Sequence, residues 1–509
     1  METFGKGLAV LLYICVMLGI GWWSMRRTKN VGDFFIGGRT IGPWVSAMAY
    51  GTTYFSAVLF VGFAGKIGWG FGMHALWVAL GNAVIGTALA WALLATKTRE
   101  MTERLDAITM PEFLAARYGV SWLKPLSAII IFVFLVPYSA GVYQGLSHLF
   151  EVNLGIGYLQ AIIFMAVLTG VYLVMGGYFA VTLTDMVQGV MQIFGVIIMV
   201  LLLAQATGLG VFGSFEQGLL PASAPALNPP PPGAPAPLFP GFISLLGLVF
   251  MTSVGPMGLP QMVQKFYSIK SRDAIKRGII IATIFSAIIS FSAYYCGGLS
   301  HHFYASAADL PQLANGHGPD FDKITPELLT KYTPTWFSVV VLLVVLAASM
   351  STLSSLVLVS SAAITVDLLG ARNRKGQESR HGLLLMRVLC GVFVALSVIM
   401  AAGKVGAIVT LMSMSWGALS GAFIGPFVWG ILWRKTTPAG AVCGLLCGLI
   451  TSVGGFFVLG PANAPVAASL GMIVSLVLVP LVSLVTVPVS EKRLARAYGE
   501  TVPAEEPAS

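Results

Sequence analysis

Thirteen stretches of this chain stay apolar for about 17 residues or more, and that repetition limits its fold more than any motif does. They run 7–25, 43–63, 73–95, 122–147, 157–175, 183–206, 240–264, 277–299, 336–365, 386–402, 405–432, 438–459 and 467–489. A helix rises about 1.5 Å per residue, so each is long enough to cross a bilayer core about 30 Å thick. Only 10% of the 509 residues are charged and 57% are hydrophobic, against roughly 25% charged in soluble chains. The expected class is an all-α polytopic membrane protein. Glu2 precedes the first run, Arg26-Arg27 follows it, and no small-residue cleavage site separates them, so a retained helix is expected rather than a signal peptide.

The net charge of +9 has the look of a nucleic-acid binder until the charges are placed. With thirteen crossings and the N-terminus outside, 24 of the 29 basic residues fall in cytoplasmic loops, leaving only Lys6, Lys66, Lys323, Lys331 and Lys404 outside. Lys265, Lys270 and Arg272 are counted in one such inner loop. The positive-inside rule therefore selects this topology, with the C-terminus inside and no nucleic-acid partner. The five cysteines lie in or beside apolar runs without metal spacing, which argues against a disulfide framework. Two outer loops are long. The proline-rich segment within 207–239 should be extended, and the acidic 301–335 is expected to be a solvated loop, a small cap over an external mouth being the alternative.

Chemistry inside the membrane concentrates on a few residues. Asp185, in GGYFAVTLTDMVQG, is the carboxylate best placed within a span, where ionised groups are expensive and usually functional. The stretch AASMSTLSSLVLVSSAAITVDL (347–368) carries eight hydroxyls in 22 residues. At 100° per residue Ala348, Ser351, Thr352 and Ser355 share one face, with Ser354 beside them. Small hydroxyl residues also help helices pack closely, but MSTLSS is dense enough to suit a hard monovalent cation, which takes neutral oxygens. A broken helix supplies further carbonyls. The second span, AMAYGTTYFSAVLFVGF, is expected to break near Gly51, and the seventh, FMTSVGPMGLPQMVQ, at its Gly/Pro cluster. Five spans separate the two, an odd offset that inverts one unit against the other. The expected organisation is an extra helix and loop (1–42), a first five-helix repeat (43–206), the external loop (207–239), an inverted second repeat (240–432), two further helices (433–490) and a cytoplasmic tail (491–509).

On DFFIGGRTIGPW (33–44), GGYFAVTLTDMVQG (176–189), GLPQMVQKFYSIKSRDAIKRGI (258–279) and MSTLSSLVLVSSAAITVDL (350–368), the chain resembles the sodium:solute symporter family. The resemblance covers about Gly5 to Pro488 and implies the leucine-transporter-like fold, a five-plus-five inverted repeat working by alternating access. It implies a sodium site formed by the carbonyls of Thr52, Phe55 and Ala348 and the hydroxyls of Ser351 and Thr352. A second sodium, held in some relatives, would match Asp185, Ser351, Ser354 and Ser355. The implied solute pocket is lined by Thr53, Tyr54, Ser56, Tyr138, Gln144, Thr252, Gly255, Pro256, Met257 and Trp416. Proline carriers of the family place an acidic residue where Tyr54 stands, whereas GPMGLPQ is closer to the pantothenate and monocarboxylate carriers.

The expected function is therefore sodium-coupled import of a small polar solute, an organic anion such as a monocarboxylate or pantothenate favoured. Sodium ions, one or two, and the solute would be its ligands, the plasma membrane its location, and no obligatory protein partner is implied. Proton coupling through Asp185 and proline-type amino-acid symport are the alternatives within the same fold. A channel would line a continuous path rather than cluster its hydroxyls at one depth, and a sensor would add a signalling domain. No span holds the paired carboxylates, metal cluster or activated nucleophile of an enzyme.

Overall fold

A computed structural model describes residues 2–25, 31–219, 241–313, 318–370, 382–404 and 406–500. Eleven helices among them are long and apolar enough to cross a membrane, and the described residues form no strand beyond two isolated bridges. The proline-rich segment and the end of the tail lie outside the described residues. The architecture is the all-helical membrane bundle that the apolar runs demand.

The run 43–63 is two helices rather than one. Pro43 opens the first at the position where its missing N–H costs nothing, and the helix holds to Tyr54. Phe55 then turns extended (φ −106°, ψ 92°). Ser56 restarts the chain: its Oγ accepts the Val58 N–H at 3.2 Å and its carbonyl accepts Leu59 N–H at 3.0 Å, as an N-cap does. The outer half continues through the π-helical Leu59–Phe63 into Ala64–Phe71. The break thus falls four residues after Gly51. That glycine stays helical, and a Cβ on it would stand 2.2 Å from the Phe285 ring, so its role is close packing.

The second interruption is at the expected place. Helix Gly241–Val254 gives way to one tight turn, Gly255–Met257, and Leu259 is extended (φ −78°, ψ 122°) before Pro260 starts Pro260–Tyr267. A residue ahead of proline is pushed out of the helical region, which fixes the break at Leu259.

The runs 157–175 and 183–206 are joined in one helical path, Tyr158–Ala206, kinked at Gly177 (φ 57°, ψ −152°). Only glycine adopts that conformation readily, and a Cβ there would come within 2.9 Å of the Phe34 carbonyl oxygen. The serine-rich helix Phe337–Ala362 lies at the centre. It packs against the first broken helix, Tyr158–Ala206 and Leu123–Leu154, and Ser349, Ser351, Thr352, Ser354, Ser355, Ser360 and Ser361 are all buried. Pro438–Leu459 and Ala464–Leu484 pack on each other and on Ile408–Leu432 at the periphery. Phe457, Val458 and Leu484 face outward there, as a lipid-facing surface requires.

The two ends differ in charge. At one, Arg39 donates to the carbonyls of Tyr267 and Ala107, Arg99 to that of Ile269, and Arg117 to those of Gly430 and Arg434. Arg434 pairs with Glu491 and Glu500. At the other end the acidic segment is folded rather than solvated, which corrects the loop expectation. Ile324–Lys331 is a helix whose Ile324 and Leu328 are buried with Trp69, Tyr304 and Leu310. Five scattered apolar side chains, too few to form a run, anchor this cap on the outer half of the first broken helix.

Candidate functional site

The break after Tyr54 leaves the carbonyls of Thr52 and Thr53 without the partners that a continuing helix would supply. In a membrane such groups must be satisfied within the protein. The serine-rich helix meets them. Ser351 Oγ lies 3.0 Å from the Thr52 carbonyl and 3.0 Å from the Ala348 carbonyl. Thr352 Oγ1 lies 3.2 Å from Thr52 O and 3.3 Å from Thr53 O. Two hydroxyl protons are shared among three carbonyl oxygens, and Thr52, Ser351 and Thr352 are wholly buried. Oxygen lone pairs therefore outnumber protons in a space without a cationic side chain among those hydrogen bonds. A hard cation fits that donor set, the hydroxyls needing only to turn their lone pairs inward. Phe55, in its extended conformation, follows directly on these residues.

One turn further along the same helix the chemistry changes. Ser355 Oγ is 3.0 Å from Thr53 Oγ1 and accepts a hydrogen bond from Lys265 Nζ at 2.9 Å. The same ammonium is 3.5 Å from Asp185 Oδ2 and 5.4 Å from the centre of the Tyr178 ring. Both charged side chains are buried, Asp185 at 0% and Lys265 at 1% exposure. Ser354 turns back to the Ser351 carbonyl at 2.9 Å. Sequence reasoning missed Lys265 because it was counted as a cytoplasmic loop charge. It belongs instead to Pro260–Tyr267, the half-helix after the second break, which carries it into the bundle.

At the first break, Tyr54, Phe55, Ser56, Val58, Leu59, Phe63, Asn82, Thr252, Tyr294, Met412 and Trp416 line a small cavity. It leaves about 30 Å³ for the centre of a water-sized sphere to move in. Of the ten expected lining residues, Tyr54, Ser56, Thr252 and Trp416 face it directly. Tyr138 stands behind, its ring edge-on to Trp416 at 5.9 Å. Thr53 is turned toward Ser355. Gly255 offers its carbonyl to Ser420 Oγ at 2.7 Å, and Gly255, Pro256 and Met257 form the buried tight turn. Gln144 is buried, and its amide nitrogen has no hydrogen-bond partner among the described residues. Asn82 and Tyr294 were not foreseen. A buried asparagine inside the third apolar run was the available signal; its Oδ1 accepts the Tyr54 hydroxyl at 3.1 Å, and that hydroxyl also lies 2.5 Å from the Thr252 carbonyl.

Two broken helices facing a hydroxyl-rich partner, with a small pocket at the first break, are an arrangement found in carriers built on a scaffold of membrane helices. The family model described as "Sodium:solute symporter family" matches residues 34–448, and the chain belongs to that family. It is 29% identical over 422 residues to the sodium/proline symporter of Salmonella typhimurium, covering 81% of this chain and 80% of the relative. To the sodium/pantothenate symporter of Haemophilus influenzae it is 27% identical over 438 residues, covering 83% and 84%. The fold is similar to that of a sodium-coupled sialic acid symporter in a substrate-bound outward-open state. That match has a TM-score of 0.77 at 18% identity, with 96% of this chain and 98% of that chain covered. The protein is thus a multi-pass plasma-membrane symporter with the leucine-transporter-like fold, and it is a transporter rather than an enzyme.

Proposed function

We propose that this symporter imports a small organic anion together with sodium bound at Thr52, Phe55, Ala348, Ser351 and Thr352. The reading is carried by one observation: two hydroxyl protons divided among three carbonyl oxygens at the first helix break. A sodium ion there would bind the first broken helix to the serine-rich helix and stiffen Tyr54–Ser56, which line the pocket. Ion and solute then favour the same conformation, and that shared preference is what coupling requires. The N-terminus outside and the basic end in the cytoplasm complete the orientation, so that sodium enters down its gradient from the capped end.

An anion in this pocket would be met by the Tyr54 and Ser56 hydroxyls and the Asn82 amide, with a sodium ion at the adjoining helix break supplying positive charge. No lysine or arginine lines the cavity. Tyr54 in place of an acidic group removes the partner that the amine of a zwitterionic amino acid would seek. Sodium-driven uptake into proteoliposomes tests the reading, with candidates first selected by sodium-dependent thermal stabilisation against small carboxylates, pantothenate and proline. Stabilisation by a carboxylate that requires sodium at constant pH is expected. Equal stabilisation without sodium, or by proline alone, would overturn the ion or the solute assignment respectively.

A further inference from the structure

We propose that Lys265 is a built-in cation occupying the position a second sodium would take, so that one sodium ion binds per chain. The inference deepens the sodium-coupled reading and rests on it. Asp185, Ser351, Ser354 and Ser355 are the residues that the family resemblance implies for a second ion, yet an ammonium already stands between two of them, Asp185 and Ser355. Its nitrogen donates to Ser355 Oγ at 2.9 Å and lies 3.5 Å from Asp185 Oδ2, over the face of Tyr178. Neither carboxylate oxygen has a hydrogen-bond partner among the described residues, and the Lys265 ammonium at 3.5 Å is the one charge paired with it there.

Three features make this a fixed arrangement. Lys265 is held by its own backbone, since its carbonyl accepts Ser268 Oγ at 2.9 Å and that hydroxyl is 2.7 Å from Tyr178 OH. Ser268 in turn bridges to the loop ahead of the first broken helix through Ile41 N–H at 3.1 Å. The ammonium is almost completely buried, so removing it from Asp185 would strand a charge in a low-dielectric interior. A second sodium placed between Asp185 and Ser355 would also sit against a like charge that cannot leave. The ion site at Ser351 and Thr352 escapes this conflict because Lys265 points to the next turn of the helix. Ser355 links the two positions through Thr53, whose carbonyl accepts from Thr352 and whose hydroxyl meets Ser355.

Radioactive sodium binding to the purified full-length protein in detergent, at fixed pH and low temperature, decides the question by counting ions. One sodium per wild-type chain is expected. Lys265→Met, which keeps the stem and removes the charge, should bind two, and adding Asp185→Asn should return the count to one. Asp185→Asn alone should leave the count at one, with a dissociation constant within about twofold of wild type. Two ions in the wild type would overturn the proposal, as would a single ion in monodisperse Lys265→Met or loss of the wild-type ion in Asp185→Asn. The last arm keeps the proposal testable if Lys265→Met does not fold. Zero ions in the wild type would instead overturn the sodium reading, an outcome distinct from a count of two.

Discussion

Two oxygen clusters sit one turn apart on the same serine-rich helix and solve the same problem differently. At Ser351 and Thr352 the freed backbone of the first broken helix is met by neutral hydroxyls. At Ser355 the second broken helix sends in an ammonium, and a carboxylate balances it. The first arrangement has electron pairs to spare, as the proposed sodium site requires; the second is already neutral overall. Serine content alone therefore does not locate an ion site. What distinguishes the turns is which side chain the opposing half-helix delivers.

The contrast breaks most visibly at the charged turn. Asp185→Asn should lower stability by about 3 kcal/mol, the cost of leaving one member of a buried pair uncompensated. Asp185→Asn combined with Lys265→Met should recover much of that loss, as read from thermal unfolding of the purified variants. A double variant no more stable than the single one would show that the two groups do not act as a pair. At the neutral turn, Thr352→Ala should cost about 1 kcal/mol of stability by unpairing the freed carbonyls and raise the sodium concentration for half-maximal stabilisation about tenfold, roughly 1.4 kcal/mol. An unaltered sodium titration in both Thr352→Ala and Ser351→Ala would remove that cluster from ion binding.

The smallest effect is expected at the cap formed by the acidic segment, where another buried carboxylate offers a further comparison. Burial raises the Asp322 carboxyl to about 6, an effect reinforced by Asp320 and opposed by the Ile408 N–H and by Lys66. The folded state thus holds this proton more tightly than the unfolded chain does. Between the ordinary value of 3.8 and about 6, stability contributed by Asp322 is lost as pH rises. Asp322→Asn should flatten that part of the stability profile, measured by unfolding from pH 4 to 7; an unchanged slope would assign it to other groups.

Much of this was readable from residue order. The apolar runs define the helices, MSTLSS marks a stripe of buried hydroxyls, and Pro260 fixes the second break. Side-chain destination was less legible. Lys265 lies only five residues before Lys270 and shares its composition-level appearance, but the half-helix from Pro260 buries one and exposes the other. The first break has no proline, so its position depends on Ser56 capping the outer segment rather than on Gly51. Thr53 was expected to face solute and instead faces Ser355, because the helix ends one residue later and leaves its orientation helical. Asn82 required a partner, Tyr54, that is distant in the chain and became visible only once the two helices were packed.

The cavity at the first break leaves about 30 Å³ for the centre of a water-sized sphere, and Met412 and Trp416 on Ile408–Leu432 form part of its lining. The first amide of that helix is tethered to Asp322 at 3.2 Å, and the cap carrying Asp322 rests on the outer segment beyond Ser56. A rearrangement of the pocket lining and one of the cap would thereby be linked through a single hydrogen bond.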